Sequence, residues 1–339
     1  MSQRYEISIA FQTDKRAEDY VALARFVNAY DFDRVTVYCD APFQPSFMPL
    51  LLMAQQLERA MVGVSAVPPS RIHPIDIAAQ TALLAQVARG GVYMGMARGA
   101  WLEDIGIEEA KPAVQAMREA VEVYRYMLEG RTGGYQGQIY RLAESVRAPY
   151  PLPEKPVPLL IGTWGEKLAA LAGEIADEVK IGGSANPDIV PVLQCYIAVG
   201  EQQAKRALGS VGVVVGAVSV LDDDREQARA EARRSVALYL PVVAPLDPTV
   251  QVEPELVARL KALVGRHDYA GAARLISDDL LEKFAFAGDA DDFIRQADAL
   301  FQAGARRVEF GTPHGLTPQV GIQRMGERVI PALRANWSR

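Results

Sequence analysis

Apolar positions along the 339-residue chain fall into short β-branched runs, separated by stretches with helical spacing. Residues 6–11 (EISIAF), 34–38 (RVTVY), 61–67 (MVGVSAV), 91–95, 157–161, 178–181, 211–221 and 307–310 read as eight strands. The intervening pattern is that of amphipathic helices. Tyr20, Leu23, Ala24 and Val27 share one face over 16–30, and Val114, Met117, Val121, Tyr124 and Leu128 share one over 113–128. Pro74 opens a helix with Asp76 in its first turn, where the helix dipole favours an acid, and His73 before it reads as a cap. Asn186 followed by Pro187 reads as an N-cap and first helical residue. Helical pieces over 224–239, 253–264, 269–285 and 289–303 follow, with a last helix from 320 to about 333.

Strict alternation of strand and helix, without a long linker or a fixed-period repeat, predicts an α/β chain folded as one (β/α)8 TIM barrel over 1–339. A small hairpin insertion is expected near 132–142 and a helical insertion near 240–285. An open doubly wound sheet is the rival, but the first strand lacks the glycine-rich dinucleotide fingerprint.

Composition narrows the function. A net charge of −6 argues against a nucleic-acid surface. Nowhere are there 18 uninterrupted apolar residues for a membrane span, and residues 1–6 lack the basic-then-apolar order of a leader. Two cysteines, Cys39 and Cys195, make no disulfide framework, so a reducing cytoplasm is the expected location. Three scattered histidines give no metal-ligand spacing, and no metal is expected.

In such a barrel the chemistry sits where strands end. Those ends are Phe11-Gln12, Cys39-Asp40, Ser65-Ala66, Ala97-Arg98-Gly99, Gly162-Thr163-Trp164-Gly165, Gly182-Gly183-Ser184 and Thr312-Pro313-His314. The ring is small, glycine-rich and poor in acids and bases. It lacks the carboxylate pair of a glycosidase and the Gly-x-Ser-x-Gly elbow of a hydrolase. It suits a planar cofactor that brings its own chemistry, with Gly63, Ser65 and Ala66 letting backbone approach a flat ligand. Gly162–Gly165 before a helix is a candidate phosphate site, with Thr163 as an added donor and Arg98 as a second anion contact. Each stretch also reads as an ordinary tight turn, and spacing leaves both readings open. Asp40, Cys39 and His314 are the candidates for the substrate side.

With those residues set out, the chain resembles the bacterial luciferase-like superfamily of flavin- and deazaflavin-dependent enzymes, and within it the methylenetetrahydromethanopterin reductase branch. The landmarks are Gly63-Val64-Ser65, Arg71, His73-Pro74, Arg98-Gly99, Ile105-Gly106, the run from Leu171 to Asp177, Asn186-Pro187, and Phe286 to Asp289 through Gly304. The resemblance implies coenzyme F420, or alternatively FMN, at the barrel mouth. It also implies a non-proline cis peptide at Ser65-Ala66 beside the cofactor ring, and a phosphate tail near Gly162–Gly165 with Arg98, Gly99 and Asn186 as neighbours. The implied reaction is hydride transfer between F420 and a small organic or pterin-like substrate. An FMN monooxygenase, a methylenetetrahydrofolate-reductase-like enzyme and a non-catalytic cofactor-binding or partner-subunit barrel are the alternatives. The acid that the reductases carry on the first strand is Ala10 here, their Asp-His after the second strand is Cys39-Asp40, and Ala100 replaces an acid after the fourth. Apolar helix faces predict a homodimer or higher homo-oligomer.

Overall fold

The computed structural model describes residues 5–100 and 102–337; residues 1–4, part of the stretch read for a leader, lie outside it. Its strands are β1 (Glu6–Phe11), β2 (Arg34–Val37), β3 (Met61–Val67), β4 (Val92–Ala97), β5 (Tyr135–Gln136), β6 (Arg141–Leu142), β7 (Leu159–Gly162), β8 (Glu178–Gly182), β9 (Gly212–Leu221), β10 (Ala285–Gly288) and β11 (Arg307–His314). Eight of them, β1-β2-β3-β4-β7-β8-β9-β11, pair in parallel and close, with β11 back on β1 in the register Glu6↔Arg307 to Ile9↔Phe310. This is the expected (β/α)8 barrel. β5 and β6 form the antiparallel hairpin, tied down by Glu119, whose carboxylate accepts the amides of Gln138, Ile139 and Tyr140 at 2.8–3.0 Å.

Two expectations need correction. The stretch 269–285 is not one helix. Asp268 caps Tyr269–Ala273, Ser277 caps Asp278–Phe284, and the chain then enters β10, which pairs with the outer half of β9 from Ala285↔Val218 to Gly288↔Leu221. Two caps nine residues apart divide the helical pattern, and buried Phe286 completes a strand. The helix after Asn186 also begins later than read, spanning Ile189–Gln203 with Asp188 at its N-cap, although Asn186 Oδ1 does accept the Asp188 N–H at 3.2 Å.

Alternation within each strand separates two interiors. Ile7, Ile9, Val35, Val37, Val62, Val64, Val179, Ile181, Val308 and Phe310 belong to the large apolar core formed with the helices. The intervening residues point into the barrel, and several are polar. Arg34 and Arg307 bond Glu178 at 2.9 Å each, Thr36 lies 2.5 Å from the Tyr93 hydroxyl and donates to Glu309 at 2.7 Å, and Lys180 bonds Glu309. Side chains from β2, β4, β8 and β11 meet only because the sheet closes.

The run Leu171 to Asp177 has a packing reason. Helix Glu166–Ile175 crosses helix Ile189–Gln203 at Gly173 and Gly200, where an added Cβ would stand 2.2 Å from the Ile197 carbonyl oxygen and 1.7 Å from that of Ala170. Only glycine permits that approach.

Candidate active site

The strand ends enclose a cavity of about 830 Å3, within the range of small-molecule and cofactor sites. Ser65, Ala66, Ala97, Gly162, Gly182, Gly216 and Ala217 build much of its wall without large side chains. A Cβ built at Gly162 would lie 3.1 Å from Ala97 Cβ and 3.6 Å from Ala66 Cβ, so β3, β4 and β7 present a nearly flush surface. A Cβ at Gly182 would meet nothing within 4 Å. The Ser65–Ala66 peptide is cis, at the position the resemblance implied, and Thr312–Pro313 on the same rim is also cis.

At one end of the cavity the helix Glu166–Ile175 begins on Gly165, with no side chain capping it. Gly165 N–H donates to Thr163 Oγ1 at 3.0 Å, leaving the first-turn amides of Glu166, Lys167 and Leu168 as the donors a helix start offers to an anion. Arg98 lines the wall, but its guanidinium is engaged by Glu109 through Nε at 2.7 Å and Nη2 at 2.5 Å. The opposite lip belongs to the insertion: Tyr239, Val242, Val243 and Leu246 face the cavity. Asn186 holds that segment in place, its Nδ2 donating to Asp247 at 2.9 Å and Thr249 at 2.8 Å.

The polar corner lies between β2 and β8. Asp40 accepts from Gln12 Nε2 at 2.9 Å, and burial pushes its carboxyl above the ordinary range despite that bond and the charges of Lys180 and Arg71. Burial also raises the Tyr38 hydroxyl well above its usual value, and takes that of Tyr239 up to about 12. Cys39 is buried on the same wall, and burial raises its thiol.

Of the residues singled out above, Cys39, Asp40, Ser65, Ala66, Arg98, Gly99, Gly162, Thr163, Trp164 and Gly165 line this one cavity. Three sit outside that lining. Gly63 makes room for the Tyr93 ring, which an added Cβ would meet at 2.4 Å. Asn186 is buried behind the insertion. His314 is buried beside Phe11, with Nε2 3.0 Å from the Ala10 carbonyl oxygen, and burial drives its pKa down to about 3. A neutral imidazole donating to a carbonyl there is a packing element. Tyr38, Lys180, Gly216, Tyr239 and the Val242–Leu246 lip were not anticipated. For Lys180 a signal was present, since Glu178, Lys180 and Gly182 alternate with Val179 and Ile181.

Among the described residues no group of three or more His, Cys, Asp or Glu is placed to hold a metal, and no helix is long and apolar enough to cross a membrane.

A closed parallel barrel whose strand tips surround a deep cavity walled by backbone and small side chains is of the class that seats an organic cofactor in its mouth. The profile of the luciferase-like monooxygenase family matches residues 4–307, and the chain belongs to that family. A 5,10-methylenetetrahydromethanopterin reductase of Archaeoglobus fulgidus is 30% identical over 329 residues, covering 94% of this chain and 95% of the relative. An F420-dependent glucose-6-phosphate dehydrogenase of Nakamurella multipartita is 25% identical over 303 residues, covering 87% and 84%. The solved coenzyme F420-dependent tetrahydromethanopterin reductase of Methanopyrus kandleri superposes with a TM-score of 0.88 at 23% identity, covering 97% of this chain and 99% of that one.

Proposed function

We propose that this protein is an F420-dependent oxidoreductase that moves a hydride between the deazaflavin and a small organic substrate of the methylene-pterin kind. The relatives named above carry F420-dependent and methylene-pterin reductase activities. The observation that carries the reading in this chain is the flush wall at Ala66, Ala97 and Gly162, which leads to an uncapped helix start at Gly165. That combination fits a flat ring continued by a phosphate-bearing tail.

A deazaflavin bound there supplies the carbon that gives or takes the hydride, and the protein supplies placement. Gly162 and Gly182 leave the ring its space, and the amides of Glu166 to Leu168 hold the anionic tail. Ala10 and Ala100 bring no acid to the site, so the proton-handling role falls to Asp40. Its carboxyl is raised by burial and oriented by Gln12. The apolar lip at Val242, Val243 and Leu246 excludes water from the substrate side.

Side-by-side titration of the purified protein with F420, FMN and NADPH tests the cofactor, and F420 binding without FMN binding is expected. Oxidation of reduced F420 by methylene-tetrahydropterin acceptors then tests the chemistry. Asp40→Asn is expected to keep F420 affinity and to lose about 100-fold or more in turnover. Preference for FMN would favour the monooxygenase reading. Tight F420 binding with no turnover of any acceptor would favour a non-catalytic barrel, the reading that Ala10 and Ala100 support.

The active form is proposed to be a homo-oligomer. Met48 and Leu83 are 70% and 52% exposed on two helices that pack together, Phe47–Ala54 and Pro74–Val87, and a second copy would cover them. Light scattering in solution decides the copy number.

A further inference from the structure

Three cations reach the cavity wall. Arg98 is engaged by Glu109 and Lys167 is exposed, whereas Lys180 has only 7% of its side chain exposed. Its Nζ bonds Glu309 Oε1 and lies 5.3 Å from the centre of the Tyr38 ring. Glu309 is not Lys180's alone. Thr36 and Ser8 donate to its other oxygen at 2.7 and 3.3 Å, and Arg307 Nη1 stands 3.7 Å from it. Glu178 is likewise shared, between Arg34 and Arg307. Among the described residues the barrel interior therefore holds three cations, Arg34, Lys180 and Arg307, against three carboxylates, Glu6, Glu178 and Glu309. Glu6 partners Arg34 at 2.6 Å at the end remote from the cavity. At the cavity end, burial raises the Asp40 carboxyl against the charges of Lys180 and Arg71. Of the three interior cations only Lys180 lines the cavity, and its carboxylate is also engaged by Thr36, Ser8 and Arg307, so a ligand of opposite charge seated against the wall meets an ammonium already taken out of water.

We infer that Lys180 is the counter-charge for an ionised heteroaromatic ring, so that the cavity binds its flat ligand preferentially as the anion. The inference rests on the F420 reading above: the deazaflavin is an acidic ring whose neutral and ionised forms differ in colour. Lys180 thus acts on the cofactor directly, and Glu309, with Thr36 and Ser8 on its far oxygen, is its positioning residue.

The test is the ionisation of bound F420, followed by visible absorbance against pH in wild type, Lys180→Met, Lys180→Gln and Lys180→Arg. Three other titratable groups face Lys180. Glu309 is held below its ordinary range by Lys180 and Arg307 against the upward push of burial, Tyr38 is raised well above its own, and Asp40 is removed by repeating the series in an Asp40→Asn background. In wild type the bound ring should ionise at lower pH than free F420. Either neutral substitution should raise that pKa by about one unit or more, a tenfold change in the ionisation constant, while Lys180→Arg should stay within about a factor of two of wild type. An unchanged value in the neutral variants overturns the inference but leaves F420 binding intact. A wild-type protein that binds no F420 overturns both readings. Should the neutral variants not fold, the wild-type comparison decides alone, and a bound ring no more acidic than the free one refutes the role of Lys180.

Discussion

Gly182→Leu separates the cavity from the fold that carries it. Gly182 ends β8 opposite Gly216 of β9, and its built Cβ points into open cavity with no atom within 4 Å. A side chain there displaces nothing in the unliganded protein, so thermal stability is expected to change by no more than about 0.5 kcal/mol. Leucine adds four carbons in space assigned to the cofactor ring. At about 0.8 kcal/mol per methylene-sized contact denied to the ligand, the loss is ~3 kcal/mol. With 1.4 kcal/mol per decade, Kd for F420 should rise about 100-fold. Fluorescence titration with a parallel thermal melt measures both quantities on one preparation. An affinity within threefold of wild type, with the melt unchanged, would mean that the ring does not lie against the tip of β8, and the proposed seat would be wrong.

Gly165→Leu should likewise preserve the fold, since its Cβ would meet only Thr163 Oγ1 at 3.8 Å, while cofactor affinity falls by titration. Gly200→Ala should do the reverse, lowering the urea midpoint by an amount equivalent to about 3 kcal/mol or more, because the added methyl meets the unyielding backbone of Ala170 at 1.7 Å. Glu119→Ala leaves the amides of Gln138, Ile139 and Tyr140 without their acceptor, at roughly 1–3 kcal/mol each as an upper bound, and should be read as faster proteolytic nicking within 132–142. His314 is neutral in the fold to about pH 3 and titrates at 6.5 when exposed, so between those values the unfolded chain binds the proton that the fold refuses. Its contribution is complete above pH 6.5 and is lost as pH falls, at about 1.4 kcal/mol per pH unit. His314→Asn tolerates the positive φ of 79° at this position and should flatten that slope in urea titrations run from pH 7 to 4.

Local order was legible in the sequence because it depends on near neighbours. The strand runs at 6–11 and 61–67 match β1 and β3 residue for residue, His73 caps the helix that Pro74 opens through Ile75 N–H, and the 132–142 hairpin is where it was read. So was the small-residue character of the strand tips, since parallel β/α units place every tip at one end of the barrel. What escaped the sequence depends on which residues closure brings together. His314 ends β11 opposite Val220 and looks like a rim residue, yet past the register shift between Gly311 and His314 its ring reaches the Ala10 carbonyl oxygen. Asn186 Oδ1 accepts the Asp188 N–H as its local form suggests, but the bond from its Nδ2 to Asp247, 61 residues later, could not be read locally. Arg34, Glu178, Lys180, Arg307 and Glu309 each read alone as a charge that either strand face could carry. Only a sheet that closes, β11 upon β1, sets them in one interior and leaves the ammonium of Lys180 at the floor of the cavity. Periodicity along a strand fixes which residues share a face, and closure of the barrel decides which face is inside.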